Sequence, residues 1–154
     1  MLKTVQALGL CVVAAAFTPP AAAQVLDAVY RGTLICGDLP FGIGKNREAI
    51  EVTIMAGTVN FKHVVRLNNS LVDASAEQGS GTLDGAKLEL QGAWKGSVYA
   101  YKATYGGSFV RRSAELKGTQ TWTDLTDSSK SFSRSCAGSI KRNFKPLLPK
   151  KPAG

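Results

Sequence analysis

The chain has 154 residues, with 19 Lys and Arg against 11 Asp and Glu, a net charge of +8, one histidine and three cysteines. So few Cys and His at no ligand-like spacing argue against a zinc centre, and no apolar run beyond the N-terminal segment reaches the roughly 18 residues of a spanning helix. The positive excess is concentrated at the end: residues 141–154 hold Lys141, Arg142, Lys145, Lys150 and Lys151 and no acid, while residues 24–140 are nearly balanced, which speaks against a nucleic-acid-binding face.

The first segment reads as an export signal. Lys3 supplies the positive start and residues 5–17 the apolar stretch. Ala21-Ala22-Ala23 supplies the small-residue cleavage site before Gln24. Removing residues 1–23 also removes Cys11 and leaves Cys36 and Cys136. An exported chain with two cysteines is expected to pair them as a disulfide. What remains is one domain of ordinary size, expected in the periplasm or outside the cell.

Taken in order, the mature chain alternates in period two, the pattern of half-buried strands. Residues 29–37 form the first expected strand, with Tyr30, Gly32, Leu34 and Cys36 on one face. A Gly- and Pro-bearing loop follows. Residues 48–56 alternate Ile50, Val52 and Ile54 with polar neighbours. Ala56-Gly57 signals a turn, and residues 58–66 return with Val59, Phe61, His63 and Val65 on one face. Residues 71–81 alternate weakly and read as a ragged strand or a loop. Residues 81–84 are strand-like, and Asp84-Gly85 is a strong hairpin signal.

The clearest pattern runs from Leu88 to Trp122. Leu88, Leu90, Gly92 and Trp94 share a face, then Tyr99, Tyr101, Ala103 and Tyr105, then Ala114, Leu116, Gly118, Gln120 and Trp122. The expected turns are Gly96-Ser97 and Gly106-Gly107-Ser108; Gly79-Ser80-Gly81 is likewise read as hairpin glycines. A polar loop over 123–130 precedes the last expected strand, 131–140, which places Phe132, Cys136 and Ile140 on one face beside Arg134. Residues 141–154, with Pro146, Pro149 and Pro152, form a basic, extended, flexible tail.

About eight strands with short links and no helix imply an all-β barrel or sandwich. Cysteines in the first and last strands favour the barrel, because a disulfide requires Cα atoms within about 7 Å and so makes those strands neighbours. The fold expected is therefore a small up-and-down antiparallel barrel closed by Cys36–Cys136, with a Greek-key sandwich as the alternative. Residues 107–122, ending Thr119-Gln120-Thr121-Trp122, resemble the Trp-bearing penultimate strands of avidin-like barrels. That resemblance implies the barrel and no particular ligand. Small periplasmic lysozyme-inhibitor barrels resemble this chain in size, export signal and terminal-strand disulfide; the likeness is architectural and leaves function open.

No motif for a reaction is present. His63 has no evident acidic partner in the sequence, so a general acid–base role is not expected, and the serines lack a nucleophile elbow. No enzyme activity and no cofactor are expected. Trp94, Tyr99, Tyr101, Tyr105 and Trp122 have two readings: a ligand-binding barrel mouth or the packed core of a small barrel. The expected function is a non-catalytic envelope barrel binding a small molecule or a protein partner. The alternative is an envelope-associated structural protein held by Lys141, Arg142, Lys145, Lys150 and Lys151 on an anionic polymer or lipid. Neither reading involves nucleic acid or a transmembrane segment.

Overall fold

The computed structural model describes residues 27–40, 42–66 and 75–143. The expected signal segment, most of the basic tail with Lys145, Lys150 and Lys151, and residues 71–74 lie outside them.

Eight strands follow one another: β1 (Ala28–Cys36), β2 (Asn46–Met55), β3 (Thr58–Val65), β4 (Ser75–Asp84), β5 (Lys87–Lys95), β6 (Tyr99–Val110), β7 (Ser113–Asp124) and β8 (Ser131–Arg142). Each pairs antiparallel with its sequence neighbours, and β1 pairs with β8, so the sheet is a closed barrel with consecutive strand order. Closure removes the unpaired edges that a small open sheet would present.

The period-two faces are as expected. Tyr30, Leu34 and Cys36 of β1, Ile50, Val52 and Ile54 of β2, and Val59, Phe61 and Val65 of β3 are buried inside. The outward positions are polar, as with Lys87, Glu89 and Gln91 on β5. This alternation runs opposite to that of a lipid-spanning barrel, whose outer band is apolar. Cys36 and Cys136 stand directly opposite one another in the β1–β8 ladder, with Cα atoms 4.1 Å apart, and form a disulfide inside the wall. Such a bond is compatible with an oxidising, extracytoplasmic compartment.

Three elements differ from the sequence expectation. Gly106-Gly107-Ser108 is not a turn; it lies within β6, and the chain reverses at Arg111-Arg112. A Cβ at the inward-facing Gly107 would press on the Leu116 side chain and the β7 backbone, so glycine here serves close packing. Gly79 and Gly81 are likewise inside β4, and the ragged segment is a full strand from Ser75. Finally, β8 continues to Arg142, so Lys141 and Arg142 belong to the barrel wall.

The strand directions give the barrel two distinct poles. The chain enters and leaves at one, the entry pole, which also carries the tight hairpins at Ala56-Gly57, Gly85-Ala86 and Arg111-Arg112. The interior there is mainly aliphatic and aromatic: Ile54, Val59, Leu88, Leu116 and Ile140, with Tyr30 against Phe109. The other pole carries the longer β1–β2, β5–β6 and β7–β8 connections, and its interior is polar.

Candidate functional site

The polar interior is built around Glu77 on β4, a carboxylate with no solvent exposure. Its Oε2 accepts hydrogen bonds from Tyr101 Oη and Tyr105 Oη, each at 2.9 Å, and lies 3.0 Å from His63 Nδ1. His63 sits beside it because β3 and β4 pair His63 directly with Glu77. The tyrosines are on β6, one strand further than β4's neighbour β5. Glu77 reaches them across β5 at Gly92, where a Cβ would lie 2.5 Å from Glu77 Oε1. The Phe61 ring uses the same gap and meets Tyr105 edge-on, with centroids 5.9 Å apart.

The network continues through the wall to β7 and β8. Gln120 Nε2 donates to Tyr105 Oη at 2.8 Å, and Gln120 Oε1 accepts from Arg134 Nε at 2.7 Å and from Trp122 Nε1 at 3.1 Å. The Arg134 guanidinium lies over the Trp122 ring, 4.9 Å from its centroid, a cation–π contact. Its Nη1 donates to the Gly37 carbonyl in the β1–β2 connection at 3.3 Å. Glu77 and Arg134 are thus two buried charges of opposite sign, bridged by Tyr105 and Gln120. Glu77 Oε1 and His63 Nε2 reach no hydrogen-bond partner among the described residues.

This environment moves the ionisation of its members. Burial pushes Tyr101 and Tyr105 far above the ordinary tyrosine value, and the Glu77 charge raises both further. Burial also lowers Arg134, opposed by the tyrosines and Glu77. Both phenols therefore remain neutral donors to the carboxylate.

Above this layer lie the rings that sequence reasoning singled out. Trp122 packs on Tyr101, with centroids 4.6 Å apart, and on Trp94 at 5.7 Å; Trp94 stacks on Tyr101 at 5.7 Å. Tyr99 meets Trp122 edge-on at 6.4 Å. All five selected aromatics therefore occupy the polar half of the barrel. Trp94, Tyr101, Tyr105 and Trp122 are buried, and Tyr99 is half-buried at the rim. Trp94 Nε1 donates to Ser75 Oγ at 2.6 Å, tying the indole to β4.

No family model, curated protein or solved structure matches this chain. The site is read from its own geometry.

One expectation needs correction here: His63 does have an acidic partner, Glu77. The sequence signal was the β3–β4 register, hidden because residues 71–81 alternate weakly. Gln120 was placed on the inner face and Arg134 beside it, but neither was linked to Glu77. Of the expected anionic-surface contacts, Lys141 and Arg142 stand at the entry pole, on the end of β8.

Outside the wall at the polar pole, the β5–β6 and β7–β8 connections are joined by a hydrogen bond from Leu125 N to Val98 O, 2.7 Å. Val98 and Leu125 expose 42% and 41% of their surface, unusual for large apolar residues in this protein. On the outer wall formed by β5, β6 and β7 is a shallow depression of about 490 Å³, lined by Ala93, Trp94, Ala100, Tyr101, Thr121 and Thr123 and flanked by Lys95 and Lys102. Its volume falls in the range of small-ligand sites, roughly 300–1,000 Å³.

Proposed function

We propose that the mature protein is an exported, non-catalytic barrel of the cell envelope that binds a small ligand or a protein partner at its polar pole. The observation that carries this reading is the exposed Val98–Leu125 pair at the polar pole, together with the outer-wall depression lined by Ala93, Ala100, Thr121 and Thr123. Exposed apolar surface of this kind, rimmed by polar and charged residues, marks interaction sites. The burial of the His63–Glu77 pair, with Glu77 Oε2 taken up by Tyr101 and Tyr105, supports a non-catalytic role. The large side chains buried inside, Tyr101, Tyr105, Trp94 and Trp122 among them, support contact at the rim and outer wall rather than within the barrel. Lys95 and Lys102 favour a ligand that pairs an apolar group with a negative charge.

Trp94 borders the depression, so its emission reports occupancy. Titration with a panel of acyl, glycan and peptide ligands from the envelope is expected to shift the tryptophan fluorescence with at least one acidic, apolar member. Val98→Asp/Leu125→Asp should abolish that shift without changing the thermal midpoint. A panel that leaves the emission unmoved, or a response that survives the double substitution, would refute the proposal.

A further inference from the structure

We infer that the entry pole is a docking surface for an anionic lipid bilayer. This surface is separate from the site proposed above and does not depend on it.

Cationic side chains from several elements meet at this pole. Arg111 and Arg112 form the β6–β7 turn and are exposed. Lys141 pairs across the ladder with Ser113 at the foot of that turn, and Arg142 N donates to Arg112 O at 2.9 Å. The acids near them are few. Glu51 is held by Arg31 at 2.7 Å. Asp27 accepts from Ala56 N at 3.1 Å through its carboxylate, and its carbonyl accepts from Arg142 Nη2 at 3.3 Å. Asp84 is on the β4–β5 hairpin, whose Lys87 is paired with Glu89. On the β6–β7–β8 side, Glu115 of β7 faces outward opposite Ser139, against Arg111, Arg112, Lys141 and Arg142, so the excess there is positive.

A further observation favours a bilayer over a soluble polyanion. The most exposed large apolar residues, Met55 at 64% and Val110 at 70%, both stand at this pole, beside the tips of hairpins on opposite sides of the barrel. Val110 is followed directly by Arg111 and Arg112, and exposed apolar tips at a cationic pole suit a headgroup–acyl boundary, where the charges meet phosphate and the tips enter the interface. A polyanion would use the cations and leave the tips in water.

Backbone conformation bears on the Arg111–Arg112 turn itself. Arg111 has φ 60°, in the left-handed region. The equivalent first turn position is Gly85, φ 57°, in the β4–β5 hairpin and Ala56, φ 48°, in the β2–β3 hairpin. A left-handed turn favours glycine, so arginine at the β6–β7 tip works against local preference. Such departures concentrate at functional positions. The chain also continues from this pole after Asn143, adding Lys145, Lys150 and Lys151 in sequence.

The test is sedimentation of the full mature chain with phosphatidylcholine vesicles, with and without phosphatidylglycerol. Binding is expected only to the anionic vesicles and should weaken as salt rises. Arg111→Gly/Arg112→Ser suits the turn at least as well as the native pair, so folding should be retained. It should reduce partitioning about thirtyfold, the effect of two surface basic residues. Met55→Ser/Val110→Ser should also weaken binding, whereas Val98→Asp/Leu125→Asp at the far pole should not. A chain lacking residues 144–154 should still bind and still respond to the Arg111–Arg112 change. Equal binding to neutral vesicles, wild-type binding by the Arg111–Arg112 variant, or capture by a soluble polyanion with none by vesicles would each overturn the inference.

Discussion

Glu77 provides a test in which the sign of an effect, more than its size, decides. Replacing Glu77 with Leu removes the common acceptor of Tyr101, Tyr105 and His63. Each buried donor left without an acceptor costs about 1–3 kcal/mol, so three donors together cost roughly 3–9 kcal/mol. Arg134 also loses the carboxylate that favours its charge. Against a net stability of about 5–15 kcal/mol for a domain, Glu77→Leu should leave the barrel marginal, so the urea series is run in sucrose, which strengthens burial in all the proteins compared. Glu77→Gln keeps a carbonyl acceptor and should cost much less. Tyr101→Phe alone should destabilise, by about 1–3 kcal/mol, because a hydrogen bond to a charged group is lost. In the Glu77→Leu background the same change removes an orphaned hydroxyl, so there it should stabilise. Urea midpoints of the four proteins measure this reversal. If Tyr101→Phe destabilises both backgrounds equally, Tyr101 and Glu77 do not act as a pair and the network assignment fails.

Two other predictions follow from the same structure. The Cys36–Cys136 disulfide closes a loop with a sequence separation of 100, for which the chain-entropy model gives about 4.7 kcal/mol; reduction should lower the urea midpoint by more than about 1 M, and an unchanged midpoint would show that the β1–β8 ladder holds the seam unaided. Alkali should destabilise the barrel. Tyr101 and Tyr105 are raised above the ordinary value of 10.0, so above about pH 10 the unfolded chain releases protons that the native chain retains, and stability should fall by roughly 1.4 kcal/mol per pH unit for each phenol. That stability is fully present below pH 10. Urea midpoints that hold steady above it, or tyrosinate absorbance from the native protein accounting for all four tyrosines, would contradict the buried placement.

The barrel was legible in the sequence because its signals are local. Period-two alternation marks each wall segment and its inner face, and the two cysteines tie the first strand to the last. The hairpin between β6 and β7 was misplaced for a physical reason. Glycine usually marks a turn, but Gly107 lies where neighbouring side chains crowd the wall, and the turn itself uses Arg111. The buried network was illegible for a different reason. Its members come from β3, β4, β6, β7 and β8, and the contact between Glu77 and the tyrosines bridges β5 through the missing side chain of Gly92. Only the register of three successive strands brings these groups together. The tail was read as carrying the whole cationic surplus because charge was counted along the chain; folding sets Lys141 and Arg142 beside Arg111 and Arg112, thirty positions away in sequence.

The two poles differ in what their interiors can tolerate. At the entry pole the core is mostly apolar, and exchanging one aliphatic side chain for another of similar volume costs little. Its distinctive residues are outside, on hairpin tips that can change without disturbing the core. At the polar pole the interior is a chain of hydrogen bonds linking two opposite charges, where removing any one member leaves others unsatisfied. Such a layer holds Trp122, Trp94 and Tyr101 in one arrangement and thereby steadies the strands whose outer faces line the depression. If the depression binds a ligand as proposed, rigidity is what the network would contribute: a pre-ordered wall loses little entropy when a ligand settles on it. On this argument Gln120→Leu, which cuts the network midway while leaving every residue of the depression in place, should loosen the tryptophan pair and weaken ligand affinity together. Near-ultraviolet circular dichroism reports the first effect and the fluorescence titration the second; a loss of one without the other would separate the network from the site.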